Sequence, residues 1–124
     1  MQLLSRCSEE GQLPGLGWFD AETIKFNLEG QATRLRIPHM GWNEIQVLKD
    51  HPLLANLGEE PRFYFVHSYY VRCSRQEDVL AVTDYGLPFH SIIGRENVLG
   101  TQFHPEKSHR YGKQILENFV KWNP

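Results

Sequence analysis

The long apolar run from Phe63 to Cys73 constrains the fold more than any other segment of the sequence. Its side chains alternate in a way that would give a strand two distinct faces. Its aromatic and β-branched content is also typical of strands. We therefore predict one long strand over this run. The side chains on its more apolar face would be Phe63, Phe65, His67, Tyr69, Val71 and Cys73.

Shorter strands are predicted on both sides of this run, wherever apolar alternation ends in turn-forming residues. These strands are 18–26, 32–37, 79–83, 88–93 and 97–104. The first two would form a hairpin, because Glu29-Gly30 between them is a turn sequence. The segment from Pro38 to Asn43 breaks the alternation with a proline and a glycine, so we predict a loop there.

Helices are predicted at the two ends of the chain. From Ser108 to Trp122, an apolar stripe of Tyr111, Ile115, Phe119 and Trp122 has the three-and-four spacing of a helix that packs on a sheet. From Met1 to Glu10 a run of helix formers stops at Gly11, a residue that can close a helix. The predicted fold class is therefore α/β, with helices flanking a mixed sheet.

The size and charge of the chain limit its partners. A length of 124 residues is that of one domain. A formal net charge of −2 gives no field that would hold a polyanion, so we expect neither nucleic acid nor a membrane surface as a partner. No apolar run approaches the roughly 20 residues that cross a bilayer, and the N-terminus does not resemble a signal sequence. We therefore expect a cytoplasmic protein.

His104 and Glu106 form the most informative pair for chemistry. Two residues apart on a strand, they would point the same way. The carboxylate could then accept the imidazole N–H and stabilise the imidazolium, as in the base half of a nucleophile–His–acid relay. Spacing alone favours the simpler reading of a histidine at a strand end beside a solvated glutamate, because pairs with perturbed pKa values are a minority of such pairs.

The rest of the chain offers little further chemistry on spacing alone. Cys7 and Cys73 are read as reduced packing residues, because no nucleophile-elbow sequence presents either of them. The six histidines lack the spacing of a metal site, so no metal is expected. The PHMGWN segment fits either a partner contact or a loop that tucks Trp42 into the core.

Four motifs together resemble one known family. QFHPEKS, PHMGWNE, FVHSYYV and MQLLSRCSEEG resemble, in spacing and over essentially the whole chain, the class I glutamine amidotransferases. Among these, the combination is most similar to the glutaminase subunits of imidazole glycerol phosphate synthase, which act in histidine biosynthesis. The resemblance implies a flavodoxin-like sheet, no cofactor, and a Cys-His-Glu triad that releases ammonia from glutamine. The ammonia would pass to a (β/α)8-barrel cyclase subunit in a heterodimer.

The resemblance also assigns residues. His104 would be the general base and Glu106 its orienting acid. The residues matched to glutamine binding are Gln2, Glu10, Ser68 and Tyr69. The residues matched to the surface that faces the cyclase are Pro38, His39, Met40, Gly41, Trp42, Asn43, Tyr64 and Lys107.

The sequence departs from the family pattern at its start. The family elbow reads Gly-x-Cys-Leu-Gly-Met-Gln-Leu-Leu, and the match begins at its methionine, so the nucleophile would lie three positions before Met1. Residues 1–124 are therefore expected to be a single partial domain, N-terminally truncated, that does not hydrolyse glutamine by itself. The alternatives are a non-catalytic binding remnant, and a related subunit that feeds ammonia to a sugar-modifying synthase in surface polysaccharide assembly.

Overall fold

The computed structural model describes residues 1–28 and 35–124. In these residues it contains nine strands and one α-helix. The strands are β1 Cys7–Ser8, β2 Ala21–Lys25, β3 His39–Glu44, β4 Gln46–Val47, β5 Arg62–His67, β6 Tyr69–Cys73, β7 Val79–Asp84, β8 Pro88–Arg95 and β9 Val98–Thr101, and the helix is α1 His109–Lys121. Short 3₁₀ turns cover Gln2–Leu4, Pro52–Leu54, Gln76–Asp78 and Pro105–Lys107.

Two sheets are present within the described ranges. The larger has seven strands in the order β1-β2-β6-β8-β7-β4, with β9 added beside β8. All of its pairings are antiparallel except the parallel pair of β1 and β2. The smaller sheet consists of β3 and β5, which run antiparallel. The predicted α/β class is confirmed, with a mostly antiparallel sheet and one helix.

The predicted strand from Phe63 to Cys73 is two strands, because the chain changes sheets at Ser68. β5 pairs with β3, whereas β6 pairs with β2 and β8. The odd-numbered side chains are buried along most of both strands, as the alternation indicates. Alternation reports which side chains face the core, but it does not report which strand lies alongside, so the break at Ser68 leaves no signal in the pattern.

The loop predicted from Pro38 to Asn43 was wrong, because this segment forms most of β3. Exposed and more buried side chains alternate along it, with His39 buried and Met40 exposed. Gly41 has φ +126°, a backbone conformation that residues with a side chain rarely adopt. The strand can continue through this position because it is a glycine. The proline and glycine that suggested a loop thus lie before and within an edge strand.

The N-terminal helix was also predicted wrongly, and the chain forms a 3₁₀ turn over Gln2–Leu4 followed by β1. The buried Ser5 explains the difference. Its hydroxyl donates to the Gln2 carbonyl at 2.7 Å and lies 2.9 Å from Thr23 Oγ1 on β2. Such side-chain hydrogen bonds compete with a continuing helix. Helices therefore do not flank the sheet at both ends of the described chain.

The predicted hairpin of 18–26 and 32–37 is not formed by the described residues. Its first strand is the shorter β2, which pairs with β1 and β6. The Glu29-Gly30 turn and residues 32–34 lie outside the described residues, and 35–37 are not in a strand.

The C-terminal helix is confirmed as α1, although its buried face differs from the predicted stripe. Gly112, Ile115 and Asn118 are buried, whereas Phe119 is about half exposed. The Asn118 amide donates to the backbone carbonyls of Leu53 and Ala55, in and just after the 3₁₀ turn over Pro52–Leu54, at 2.8 and 2.7 Å. Neither α1 nor any other helix in the described part of the chain is long and apolar enough to cross a membrane.

Candidate active site

His104 and Glu106 are in direct contact just beyond β9. The imidazole Nδ1 lies 2.8 Å from Glu106 Oε1. The prediction that the two residues share a strand face was wrong, because β9 ends at Thr101 and Pro105 begins a 3₁₀ turn. The turn brings the carboxylate back to the ring, so the expected contact forms by a different local structure.

The ionisation of Glu106 fixes the proton on the imidazole. The pKa of Glu106 is lowered by a hydrogen bond from its own backbone N–H and by the hydrogen bond from His104. The carboxylate is therefore ionised at neutral pH and accepts a hydrogen bond from Nδ1–H of His104. A neutral imidazole then has a free lone pair on Nε2, which is the atom that acts as a base in such relays.

Ser108 holds this motif against the neighbouring strand. Its side chain is fully buried. The hydroxyl donates to the His104 carbonyl at 2.7 Å and accepts from the Tyr64 backbone N–H of β5 at 2.9 Å. His104 also donates its backbone N–H to the Tyr64 carbonyl at 3.0 Å. His104 is thus fixed to the strand that leads to Ser68.

An open cavity of about 620 Å³ lies beside His104. It is bordered by all four residues that the resemblance matched to glutamine binding, namely Gln2, Glu10, Ser68 and Tyr69. The Gln2 side chain donates to the Tyr69 carbonyl at 3.1 Å, which joins the first turn of the chain to the beginning of β6. The fold therefore brings together, at one cavity, residues that are far apart in the sequence.

His67 and Gln102 are among the residues of the cavity wall that sequence reasoning missed. His67 lies one position before Ser68, and Gln102 lies two positions before His104. Both stand inside motifs that were singled out, so their nearness to the assigned residues was the available signal. The Gln102 side chain is buried, and its Oε1 has no hydrogen-bond partner among the described residues.

The two cysteines lie away from the cavity wall. Cys73 is buried, as expected of a packing residue, and burial together with the nearby Asp78 and Asp20 raises its thiol pKa to about 12. The packing role predicted for Cys7 was wrong, because Cys7 is exposed on the short edge strand β1. In the described part of the chain, no three His, Cys, Asp or Glu side chains are placed to hold a metal ion.

The residues matched to a partner surface divide into exposed and buried groups. Met40 and Trp42 are exposed on β3, so Trp42 is not tucked into the core. The Trp42 ring stacks on His109 at the start of α1, with 5.4 Å between ring centroids. Pro38 and Lys107 are exposed, and Gly41, Asn43 and Tyr64 are partly exposed. His39 points inward and is only 2% exposed, so its side chain is not part of that surface.

A histidine in contact with a carboxylate beside an open cavity is compatible with a glutamine amidotransferase site, and the sequence comparison shows the family. Residues 1–122 match the sequence model of the family described as glutamine amidotransferase class-I. The chain belongs to the class I glutamine amidotransferase family.

Individual relatives show which kind of amidotransferase subunit the chain is similar to. The chain is 49% identical to imidazole glycerol phosphate synthase subunit HisH of Leptospira interrogans, over 97% of this chain and 59% of that protein. It is 48% identical to subunit HisH 2 of Methanococcus maripaludis, over 98% of this chain and 58% of that protein. The chain therefore spans about three fifths of the length of these curated relatives.

A solved structure shares the fold. The crystal structure of a GMP synthase subunit protein from Thermoplasma acidophilum superposes with a TM-score of 0.62. The match covers 82% of this chain and 48% of that chain, at 20% sequence identity. This likeness confirms the fold of class I amidotransferases for the present chain.

Proposed function

We propose that this chain is part of a glutaminase subunit of imidazole glycerol phosphate synthase, in which it binds glutamine and supplies the general base. His104 takes the proton of the attacking thiol, and Glu106 orients the ring and stabilises the imidazolium. Gln2, Glu10, Ser68 and Tyr69 hold the glutamine. The similarity to HisH proteins supports this pathway over a polysaccharide synthase.

One observation carries the proposal. The 2.8 Å contact between His104 and Glu106 lies beside the same cavity that Gln2, Glu10, Ser68 and Tyr69 border. Glu106 is itself exposed to solvent, so the cavity beside His104, and not burial of the pair, is what favours a catalytic role. A binding remnant would not need a carboxylate that holds the Nδ1 proton and leaves Nε2 free to act as a base.

Neither Cys7 nor Cys73 is proposed as the nucleophile of the reaction. Burial keeps the Cys73 thiol protonated, since its pKa is about 12. Cys7 is exposed on β1 and does not border the cavity. We therefore assign to residues 1–124 the binding of glutamine and the base, and to neither of these cysteines the attack on the substrate.

Replacing Glu10 tests the glutamine site. Glu10→Gln removes the charge that pairs with the α-ammonium of glutamine and keeps the size of the side chain. A hydrogen bond between charged groups contributes about 1.5–3 kcal/mol, so we expect glutamine to bind about 10-fold more weakly or worse. Isothermal titration of L-glutamine into the 124-residue chain measures this change.

Glu9→Gln is the matched control for this experiment. Glu9 is an exposed acid next to Glu10 that does not border the cavity. Its replacement makes the same change in net charge and is expected to leave the glutamine Kd within about twofold. Equal losses in the two variants would mean that Glu10 acts only through the overall charge, and the assigned role of Glu10 would be wrong.

We further propose that the exposed side of β3 docks on the (β/α)8-barrel cyclase subunit, in a cytoplasmic heterodimer. Met40 and Trp42 project from this strand, with Tyr64 of the neighbouring β5 partly exposed beside them. Aromatic and methionine side chains of this kind are enriched at the centres of protein interfaces. Lys107, which is exposed at the end of the 3₁₀ turn Pro105–Lys107, would add a positive charge to the interface.

Replacing Trp42 tests this docking surface. Buried interface tryptophans commonly contribute about 2 kcal/mol or more, so Trp42→Ala is expected to weaken binding to the cyclase subunit from the same genome roughly 30-fold. Trp18→Ala is the control, since Trp18 is similarly exposed, at 56% against 46%, and lies outside the proposed surface. Surface plasmon resonance with immobilised cyclase measures both variants. An unchanged Kd for Trp42→Ala would exclude this strand from the interface.

A further inference from the structure

Two buried histidines are hydrogen-bonded to each other behind the cavity. His39 on β3 lies opposite His67 at the end of β5 in the strand register. His39 Nδ1 is 2.9 Å from His67 Nε2, and the two residues are only 2% and 6% exposed. Polar groups that are buried this deeply stay in a fold only when their hydrogen bonds are made.

The direction of each hydrogen bond follows from the groups at the ends. His67 Nδ1 lies 2.8 Å from the Tyr69 carbonyl, which can only accept, so Nδ1 carries the proton. The Nε2 atom of a neutral His67 then accepts from Nδ1–H of His39. His39 Nε2 is left to accept from the Asn43 amide at 3.3 Å. One orientation of protons therefore satisfies the whole chain of bonds.

Both rings are neutral and held in place by packing. Burial lowers the pKa of His39 to about 3 and that of His67 to about 4. The His39 ring lies nearly parallel to Phe65 and Tyr85, with 4.8 and 3.9 Å between ring centroids. The rings around His67 include Phe26 at 5.1 Å and Phe89 at 5.0 Å. The pair therefore has little freedom to turn away from Tyr69.

The Tyr69 carbonyl receives two donors. One is Nδ1–H of His67 at 2.8 Å, and the other is the Gln2 side-chain amide at 3.1 Å. A carbonyl oxygen has two lone pairs, so both are used. The peptide plane that follows Tyr69 is thereby fixed in orientation at the cavity wall, and Gln2 is held over the same cavity.

We propose that His67, held by His39, is a positioning residue of the glutamine site: it fixes the Tyr69 carbonyl and, through that carbonyl, the Gln2 side chain. This inference rests on the proposed function, because glutamine is the ligand whose site is being held. His67 would act through the Tyr69 backbone and the Gln2 side chain, which belong to residues of the cavity wall. Its effect should therefore depend on the proton donor at Nδ1 and not on the volume of the ring.

Two variants distinguish the effect of the proton donor at Nδ1 of His67 from the effect of its side-chain volume. In His67→Asn the amide nitrogen can take the place of Nδ1 and still donate to Tyr69. In His67→Gln the amide reaches the place of Nε2, so it keeps the contact with His39 and loses the donor to Tyr69. We expect His67→Asn to bind L-glutamine within about threefold of the wild type, and His67→Gln to bind it about 10-fold more weakly, in line with the loss of one hydrogen bond.

Weaker binding by His67→Asn than by His67→Gln would overturn the proposal, because it would mean that side-chain volume matters more than the donor. Equal losses in the two variants would overturn it as well, since the donor would then make no difference. Nuclear magnetic resonance of the same variants separates these outcomes from failure of the proposed function. If the wild-type chain binds no L-glutamine, the proposed function fails for this chain, and the signals of the Tyr69 carbonyl carbon and the Gln2 amide decide the positioning role. They should stay in place in His67→Asn and move in His67→Gln; any other pattern overturns it.

If both variants fail to fold, spectra of the wild-type chain still test the proposal. Imidazole ¹⁵N spectra at neutral pH should show the His67 proton on Nδ1 and a bare Nε2, with the same tautomer for His39. A proton on Nε2 of His67 would overturn the proposal, since the bond to Tyr69 would then be absent.

Discussion

Gly112→Ala is expected to destabilise the chain by about 3 kcal/mol and to disturb the HPE motif. A Cβ on Gly112 would lie 1.7 Å from the Pro105 carbonyl oxygen, far inside contact distance. The obstacle is backbone, so α1 and the turn over Pro105–Lys107 must move apart. Overpacking of this kind costs about 1–3 kcal/mol or more, which exceeds the gain of about 1 kcal/mol in helix propensity. Urea unfolding monitored by circular dichroism measures the change in the free energy of unfolding.

The control for this variant is Gly11→Ala. A Cβ on Gly11 would meet nothing within 4 Å, and its φ lies outside the left-handed region. Its free energy of unfolding is expected to stay within about 0.5 kcal/mol of the wild type. Because His104 directly precedes the displaced turn, Gly112→Ala should also weaken glutamine binding. Equal unfolding midpoints for the two variants would show that α1 does not lie this close to Pro105.

Phe65→Ala is expected to destabilise the chain by about 3–5 kcal/mol, the range for removing a fully buried phenylalanine. Phe65 is completely buried on β5, where its ring contacts His39, Phe89 and Phe103. The cavity left by its removal lies between β3 and the larger sheet. Thermal and urea unfolding of the 124-residue chain measure the loss.

Phe119→Ala makes the same chemical change at a side chain that is 52% exposed on α1. We expect it to cost under about 1 kcal/mol, because little packing is lost there. Similar losses at Phe65 and Phe119 would contradict the placement of Phe65 in the core and of Phe119 at the surface of α1.

The sequence predicted well those features that depend on one local pattern. The spacing of Tyr111 and Ile115 located α1, and the alternation after Val79 located β7. Prediction from the sequence failed for features that depend on a tertiary contact. The exchange of sheets at Ser68 and the bonds of Ser5 to β2 both depend on residues distant in the sequence. In α1, Asn118 is buried by its hydrogen bonds to a distant turn while Phe119 is exposed, and apolar spacing reports neither.

Some residues of the candidate site were likewise predicted from the sequence, and others were not. Two-residue spacing predicted the contact of His104 with Glu106, although a 3₁₀ turn produces it and not a strand. The resemblance brought in Gln2, Glu10, Ser68 and Tyr69, which border one cavity. His67 and Gln102 were missed, because their place in the cavity wall depends on how β5 and the end of β9 meet. The inward direction of His39 likewise depends on the pairing of β3 with β5.

The most direct test of this account is to map the binding of L-glutamine on the ¹⁵N-labelled wild-type chain by nuclear magnetic resonance. The account predicts saturable shifts at Gln2, Ser68, Tyr69 and the His104 imidazole. It predicts none at Leu116 and Val120, which line an apolar groove of about 510 Å³ on the outer side of α1. Shifts confined to that groove, or no shifts at all, would contradict the claim that the cavity beside His104 is a glutamine site.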